Sequence, residues 1–312
     1  MTHWPDIPYT RWQATGASLH MWTQIVGKLR LALSPWLNHS WHATFYVNAR
    51  GVTTGLIPGA DCGHEVVFDF LDHRLDVRST NGKRSGFALE SMSVAEFHRR
   101  FLEALLPHCG LVDMHGAPNE VPDPVPFAQQ TEPGEYDPQA AEDYWRALAA
   151  ITPVFERFRS GFLGKVSPVH LFWGSLDLAV TRFSGRGAPL HPGGFPALPD
   201  SVTREAYSHE VSSAGFWAGG GGIDEPAFYS YAYPSPDGFG SVAVKPDAAY
   251  YFEPLGEFVL PYEAVRSAPD PSARLLEFLQ STYAAAADLA GWDRETLECP
   301  LGAPRVPRSL GF

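Results

Sequence analysis

Cysteine is scarce: Cys62, Cys109 and Cys299 are the only three in a chain of 312 residues. They are odd in number, widely spaced and form no C-x-x-C pair, which argues against a disulfide framework and a thiolate zinc site. A reducing, cytoplasmic setting is the expectation. Basic charge is also short. Lys and Arg number 23 against 35 Asp and Glu, for a net charge of -12 and a pI near 5.4. No basic run occurs, so neither nucleic acid nor an anionic membrane is an expected partner. No apolar run approaches the ~18 residues that a spanning helix needs, and the opening MTHWPDIPYTRW lacks the n- and h-regions of a signal peptide. What is present is apolar mass, 45% of residues, enough for a substantial core. The expected partner is a small-molecule ligand or substrate.

Four helices follow from periodicity and caps. Between Gly16 and Leu33, Leu19, Trp22, Ile25 or Val26, Leu29 and Leu33 recur at helical spacing until Ser34-Pro35 stops them. Ser93 and Glu96 form a capping box ahead of Val94, Phe97, Phe101 and Leu105. Asp137-Pro138 and Asp270-Pro271 each place an N-cap before proline at the first helical position. A kink is expected at Pro153. Between the helices, WHATFYVNAR, HEVVFDF and RLDVRST read as strands, as do VHLFWGSLDLAVTRF, AYSHEVSS, AFYSYAYP and YYFEPLGEFVL further on.

The order helix, three strands, helix thus occurs twice, on either side of a Pro-rich connector. The expected fold is α+β: a pseudo-twofold duplication of a helix-three-strand-helix unit, with antiparallel sheets and helices packed on one face. Residues 1–115 form the first half, 116–136 the connector and 137–312 the second half, integrated into one domain. Matched words keep their order across the halves: Gly27-Lys28-Leu29 with Gly164-Lys165-Val166, Ser40 with Ser175, Arg50-Gly51 with Arg186-Gly187, and His64-Glu65-Val66 with His209-Glu210-Val211. This alignment sets His42 against Asp177. It also leaves an insertion around HPGGFPALPD, expected to fold over a cleft and carry His191 or Arg186 toward it.

The chemistry-bearing residues are histidines and carboxylates. Side chains alternate along a strand, so His209 and Glu210 point to opposite faces and cannot chelate one ion together. His209 is expected to face the pocket, with Glu210 held on the other face by Arg204, a serine or backbone donors. His209, Asp177 and His42 are the candidate catalytic groups. Trp173, Arg182, Arg186, Arg204, Trp217 and Tyr231 are candidates for substrate binding, the arginines as clamps for a carboxylate or phosphate. His42, His64, His170, His191 and His209 are of the type that binds a divalent transition metal, Zn or Fe. Against this stands the reading of the same histidines as satisfied polar residues of an aromatic core. The run GGGG has no strand–Gly–helix context and reads as a turn or lid rather than a phosphate cradle.

The stretches LHMWTQIVGKLRLALSPWLNHSWHATFYVNARG, KVSPVHLFWGSLDLAVTRFSGRGAP, LPDSVTREAYSHEVSSAGFWAGGG and FLQSTYAAAADLAGWD resemble the bacterial domain-of-unknown-function family DUF5996 over nearly the whole chain. The resemblance implies no activity, fold or cofactor; it favours one integrated unit. Two readings of function follow from the residues. In one, the protein is an enzyme acting on a small organic molecule in a cleft between the halves, lined by Trp36, Trp41, Phe172, Trp173, Phe216, Trp217, Tyr229 and Tyr231. In the other, the cleft is a non-catalytic small-ligand-binding or protein-interaction module.

Overall fold

The computed structural model describes residues 4–220 and 222–308. Helix α1 (Tyr9–Leu33) begins at Tyr9 rather than at Gly16 and is buried on nearly every side, Gln24 and Lys28 included. A helix enclosed in this way is central rather than amphipathic. After it, the chain forms a short 3-10 turn, Asn38–Ser40, with His39 and Ser40 in the left-handed region at φ 58 and 57. The strand expected across residues 41–50 therefore starts late. His42 sits in that turn region instead of in a strand.

The first sheet is a meander of β1 (Tyr46–Val47), β2 (Gly51–Thr53), β3 (His64–Asp69), β4 (Arg74–Ser79) and β5 (Arg84–Ala88), in that spatial order and antiparallel throughout. Helix α2 (Val94–Cys109) closes it, and the Ser93 hydroxyl accepts from Glu96 N at 3.1 Å, the cap that the sequence announces. Helix α3 (Pro138–Ser160) runs unbroken through Pro153. Its cap, Asp137, accepts from Gln139 N and Ala140 N while also pairing with Arg11 at 3.0 Å. Asp137→Ala is expected to lower stability by about 1 kcal/mol in urea denaturation, and Asp137→Asn, which keeps the acceptor, by less. Equal losses would place the effect in the Arg11 pair instead.

The second sheet contains β6 (His170–Phe172), β7 (Asp177–Gly187), β8 (His209–Trp217), β9 (Ala227–Tyr233), β10 (Tyr250–Phe252) and β11 (Glu257–Pro261), in spatial order β10-β11-β9-β8-β7-β6. A short helix missed in the sequence, α4 (Asp200–Ala206), precedes β8, and α5 (Tyr262–Arg266), α6 (Pro271–Leu289) and α7 (Arg294–Leu297) follow β11. Phe45 and Leu171 exchange both backbone hydrogen bonds, at 2.9 and 2.8 Å, and tie the β1 edge of the first sheet to the β6 edge of the second. The long helices pack side by side in the order α2, α1, α3, α6; α2 covers β4 and β5, α3 reaches β1, β2 and β7, and α6 covers β8 and β9. A single apolar core spans both sheets and this helix layer.

Strand alternation gives the second sheet two different faces. Leu178, Val180, Ala214, Phe216, Phe228, Phe258 and Leu260 join the core under the helices. Their neighbours Ala179, Thr181, Phe183, Val211, Ser213, Tyr229, Tyr231 and Glu257 look the other way, into a cavity.

Three of the word matches between halves fail: Gly27-Lys28-Leu29 lies inside α1, whereas Gly164-Lys165-Val166 follows the end of α3. Ser40 lies in the turn before β1, whereas Ser175 lies between β6 and β7; Arg50-Gly51 opens β2, whereas Arg186-Gly187 ends β7. The pairing of His42 with Asp177 fails with them, since Asp177 opens a strand and His42 belongs to none. Short identical words carry too little information to set register when loop lengths differ. His64 and His209, by contrast, each open the third strand of their sheet's meander.

Candidate functional site

The exposed face of the second sheet is the floor of a cavity of about 820 Å³. Its walls come from α1, the 36–43 segment, the connector and the 195–207 segment, which roofs it through Phe195, Leu198, Pro199 and Val202. The cavity thus draws on both halves of the chain. Seven of the eight expected aromatics line it; Phe216 does not, because alternation turns it into the helix-side core.

Asp177 lies at the floor, 9% exposed, and accepts a hydrogen bond from the Tyr229 hydroxyl. Tyr229 reaches it across β8 because the intervening residue is Gly215, which pairs with Ala179 on one side and Tyr229 on the other. A Cβ at Gly215 would overlap the Tyr229 ring end and stand 2.6 Å from the Leu178 carbonyl oxygen. Burial pushes the Asp177 carboxyl up to about 7, against the stabilising Tyr229 bond. Glu257 is pushed up to about 7 by burial and then by the Asp177 charge. Glu120, from the connector, is also raised by burial; it accepts from Ser175 Oγ at 2.9 Å. One lysine lines the cavity, Lys28, which donates to Asn119 Oδ1 and lies 5.3 Å from the Trp173 ring centroid. Burial pulls its ammonium down to about 8.

A polar row crosses the floor beside Asp177. The hydroxyls of Thr181 and Ser213 are 2.8 Å apart, Tyr231 pairs with Ser213 across the strands, and Tyr207 and Tyr231 share a hydrogen bond of 2.9 Å. At the other end of β7, His39 lines the cavity with Nδ1 on the Ala206 carbonyl oxygen at 2.8 Å and Nε2 accepting from Lys165 Nζ. Lys165 in turn lies over the Phe183 and Trp41 rings at 4.6 and 5.4 Å.

Of the residues expected in the site, Asp177, Trp173, Trp217 and Tyr231 line the cavity. His209, expected to face the pocket, is on the same side of β8 as Val211 and Ser213 but does not line the cavity; its ring is 6.4 Å from that of His39, and its Nδ1 is bonded to Ser208 Oγ at 3.0 Å. Glu210 does face away, but Arg186 holds it, at 2.7 Å, and not Arg204. Arg186 is thereby tied to Glu210 and to the Ala290 and Gly291 carbonyl oxygens, outside the cavity. Arg204 bonds Asp200 and the His191 carbonyl oxygen. Arg182 alternates to the helix side, where it is 1% exposed and stacked on Phe158 and Tyr283 at 3.6 and 4.3 Å. None of these three arginines lines the cavity, so the expected clamp is not among the described residues. The insertion does fold over the cavity, yet it contributes Phe195 and Leu198, while His191 stacks outside on Tyr207 and Tyr233 at 4.7 and 4.9 Å.

The proposed metal histidines are dispersed. His42 is buried against Trp36, His170 sits in β6 against Phe172, and His64 belongs to the first sheet. Among the described residues, no three His, Cys, Asp or Glu side chains converge to hold a metal ion. Missed in the sequence were Lys28, Glu120, Glu257, Tyr207 and His39, and the bond that ties the expected Tyr229 to Asp177. Continuing the alternation from Asp177 and Ser213 to the neighbouring strands was the signal for Tyr229 and Glu257; nothing local marked Lys28 or Glu120.

His64 instead joins a hydrogen-bonded chain with Ser79, His108 and Ser85. Ser85 Oγ donates to the Ala104 carbonyl oxygen at 2.6 Å, so it accepts from His108 Nε2 at 2.8 Å. With both rings neutral, His108 Nδ1 then accepts from Ser79 Oγ, which accepts from His64 Nδ1 at 3.1 Å. Ser79→Ala orphans two buried ring nitrogens and is expected to cost about 1–3 kcal/mol. Burial also lowers the pKa of His39, His42, His64, His108 and, to about 3, His170. Groups depressed in the folded state bind fewer protons than in the unfolded chain. The histidines' contribution to stability is therefore whole above pH ~6.5 and falls as the pH drops below it, while Asp177 and Glu257 give an opposite slope around pH 7. Urea titrations of the Asp177→Asn/Glu257→Gln double variant at pH 7.5 and 5.5 isolate the loss; equal midpoints there would contradict neutral buried imidazoles.

No helix among the described residues is long and apolar enough to cross a membrane. No curated protein and no solved structure matches the chain significantly. The profile described as "Family of unknown function (DUF5996)" matches residues 4–299, and the chain belongs to that family.

Proposed function

We propose that the protein is an enzyme acting on a small organic molecule bound in this cavity, with Asp177 as its proton-transferring group. The observation that carries the reading is a buried carboxyl, bonded to a tyrosine hydroxyl, at the floor of an aromatic cavity of about 820 Å³. A carboxyl held near 7 exchanges protons at neutral pH, as a general acid or base must. Tyr229 orients it. Apolar walls supply binding area, and the Thr181–Ser213–Tyr231 row supplies directional polar contacts.

The test is conversion of a metabolite mixture followed by mass spectrometry, wild type against Asp177→Asn at saturating ligand. Loss of conversion with ligand-induced thermal shift retained supports the enzyme. Conversion undiminished in Asp177→Asn removes Asp177 from the chemistry.

We also infer that the two halves arose by duplication. Each follows helix, antiparallel sheet, helix, and the sheets meet edge to edge at Phe45 and Leu171. The matched His-Glu-Val words open equivalent third strands in this scheme. Superposing β1–β5 on β6, β7, β8, β9 and β11 tests it, and incompatible strand twists or helix positions would refute it.

A further inference from the structure

Charge and ring geometry narrow the ligand class, in an inference that rests on the cavity being the site. The lining contains three carboxylates, Asp177, Glu257 and Glu120, but only one ammonium, Lys28, which lies beside Glu120. Among the described residues, no Lys or Arg forms an ion pair with Asp177 or Glu257. The Tyr229 hydroxyl is the side-chain partner of Asp177. Buried carboxylates without a cation carry a desolvation cost that an incoming positive charge offsets.

The walls already hold cations by their ring faces. Lys28 lies over Trp173 at 5.3 Å and Lys165 over Phe183 at 4.6 Å. At the carboxylate end the rings are Trp217, Tyr229 and Tyr231, and among the described residues no Lys or Arg lies over them. Tyrosine and tryptophan faces beside carboxylates are the chemistry that recognises organic cations. An inorganic metal ion fits less well, since the acidic groups do not converge into a ligand set.

We propose that the cavity binds an organic cation, an amine-bearing molecule whose charged nitrogen sits against Asp177 and Glu257 and whose apolar body lies along Trp217, Tyr229 and Tyr231. The opposite end of the cavity, at His39 and Phe183, lies six residues further along β7, about 20 Å away at strand rise. It leaves room for a substituent of the same molecule.

Three probes of similar shape and different charge test this: benzylamine, benzyl alcohol and benzoate, titrated calorimetrically against the full chain at pH 8. The expected order is benzylamine about tenfold or more tighter than benzyl alcohol, with benzoate weakest. Asp177→Asn and Glu257→Gln should each remove most of the amine's advantage and leave the alcohol's affinity unchanged. Circular dichroism and melting curves verify that both variants are folded, and Glu257→Gln keeps the test alive if one variant is not. No preference for the amine, including no binding by any probe at millimolar concentration, overturns the assignment. Preference for the amine with undiminished turnover by Asp177→Asn would instead sink the enzymatic role of Asp177 and leave the ligand class standing.

Discussion

Asp177→Asn is expected to abolish turnover and, at pH 8, to make the protein more stable. Removing a proton-transferring group costs about 10²–10⁴-fold in rate, which accounts for the first effect. The second follows from linkage. An acid whose pKa is raised on folding holds extra protons in the native state, so its contribution to stability is present at low pH and is lost as the pH rises through about 7. At pH 8 the buried carboxylate is ionised and costs on the order of 2–4 kcal/mol relative to its value in the unfolded chain, an amount that a neutral amide does not incur. Asparagine retains an oxygen to accept from Tyr229, so the floor of the cavity keeps its geometry. Melting curves should separate wild type and variant at pH 8 and bring them close together at pH 4, where the native carboxyl is protonated and the unfolded one is near its midpoint. A variant less stable than wild type at pH 8 would mean that the carboxylate is better solvated than its 9% exposure implies.

Gly215→Ala should disable the same site from one strand away. The added methyl meets the Tyr229 ring end on one side and the Leu178 carbonyl oxygen, at 2.6 Å, on the other. The tyrosine can swing; the backbone oxygen of a paired central strand cannot without disturbing the ladder between β7 and β8. Overpacking of this kind costs about 1–3 kcal/mol, and the displaced Tyr229 hydroxyl no longer orients Asp177. Gly187, at the exposed end of β7 with nothing within 4 Å of an added Cβ, is the control, and its replacement by alanine should change stability by about 0.5 kcal/mol or less. Combining Gly215→Ala with Tyr229→Leu removes the clashing ring end but not the Leu178 contact, so the double variant should remain destabilised and inactive. If Gly215→Ala melts with the wild type and turns over normally, Gly215 is not what admits Tyr229 to the floor.

The elements legible in the sequence were those with local physical causes. Ser93, Asp137 and Asp270 cap α2, α3 and α6 because a side-chain acceptor beside free backbone donors acts within one turn of chain. Alternation along one strand correctly separated His209 from Glu210, since it depends only on strand geometry. The same rule misplaced Arg182 when it was not applied: Thr181 and Phe183 face the cavity, so Arg182 must face the helices. The turn at Asn38–Ser40 escaped because a left-handed His39 and Ser40 have no distinctive local signature.

The sequence alone determined an α+β chain of antiparallel strands and capped helices and a set of aromatics, seven of which line one cavity; Asp177 lines it too, although the alignment with His42 that singled it out fails. Tertiary structure decided which polar groups meet. Lys28 from α1, Glu120 from the connector, Asp177 from β7 and Glu257 from β11 are brought to one cavity by strand order, by the joining of the sheets at Phe45 and Leu171, and by the 195–207 roof. The reason is physical. Caps and side-chain alternation are set by neighbours in the chain, whereas the burial and charge that raise Asp177 and Glu257 come from groups tens of residues away.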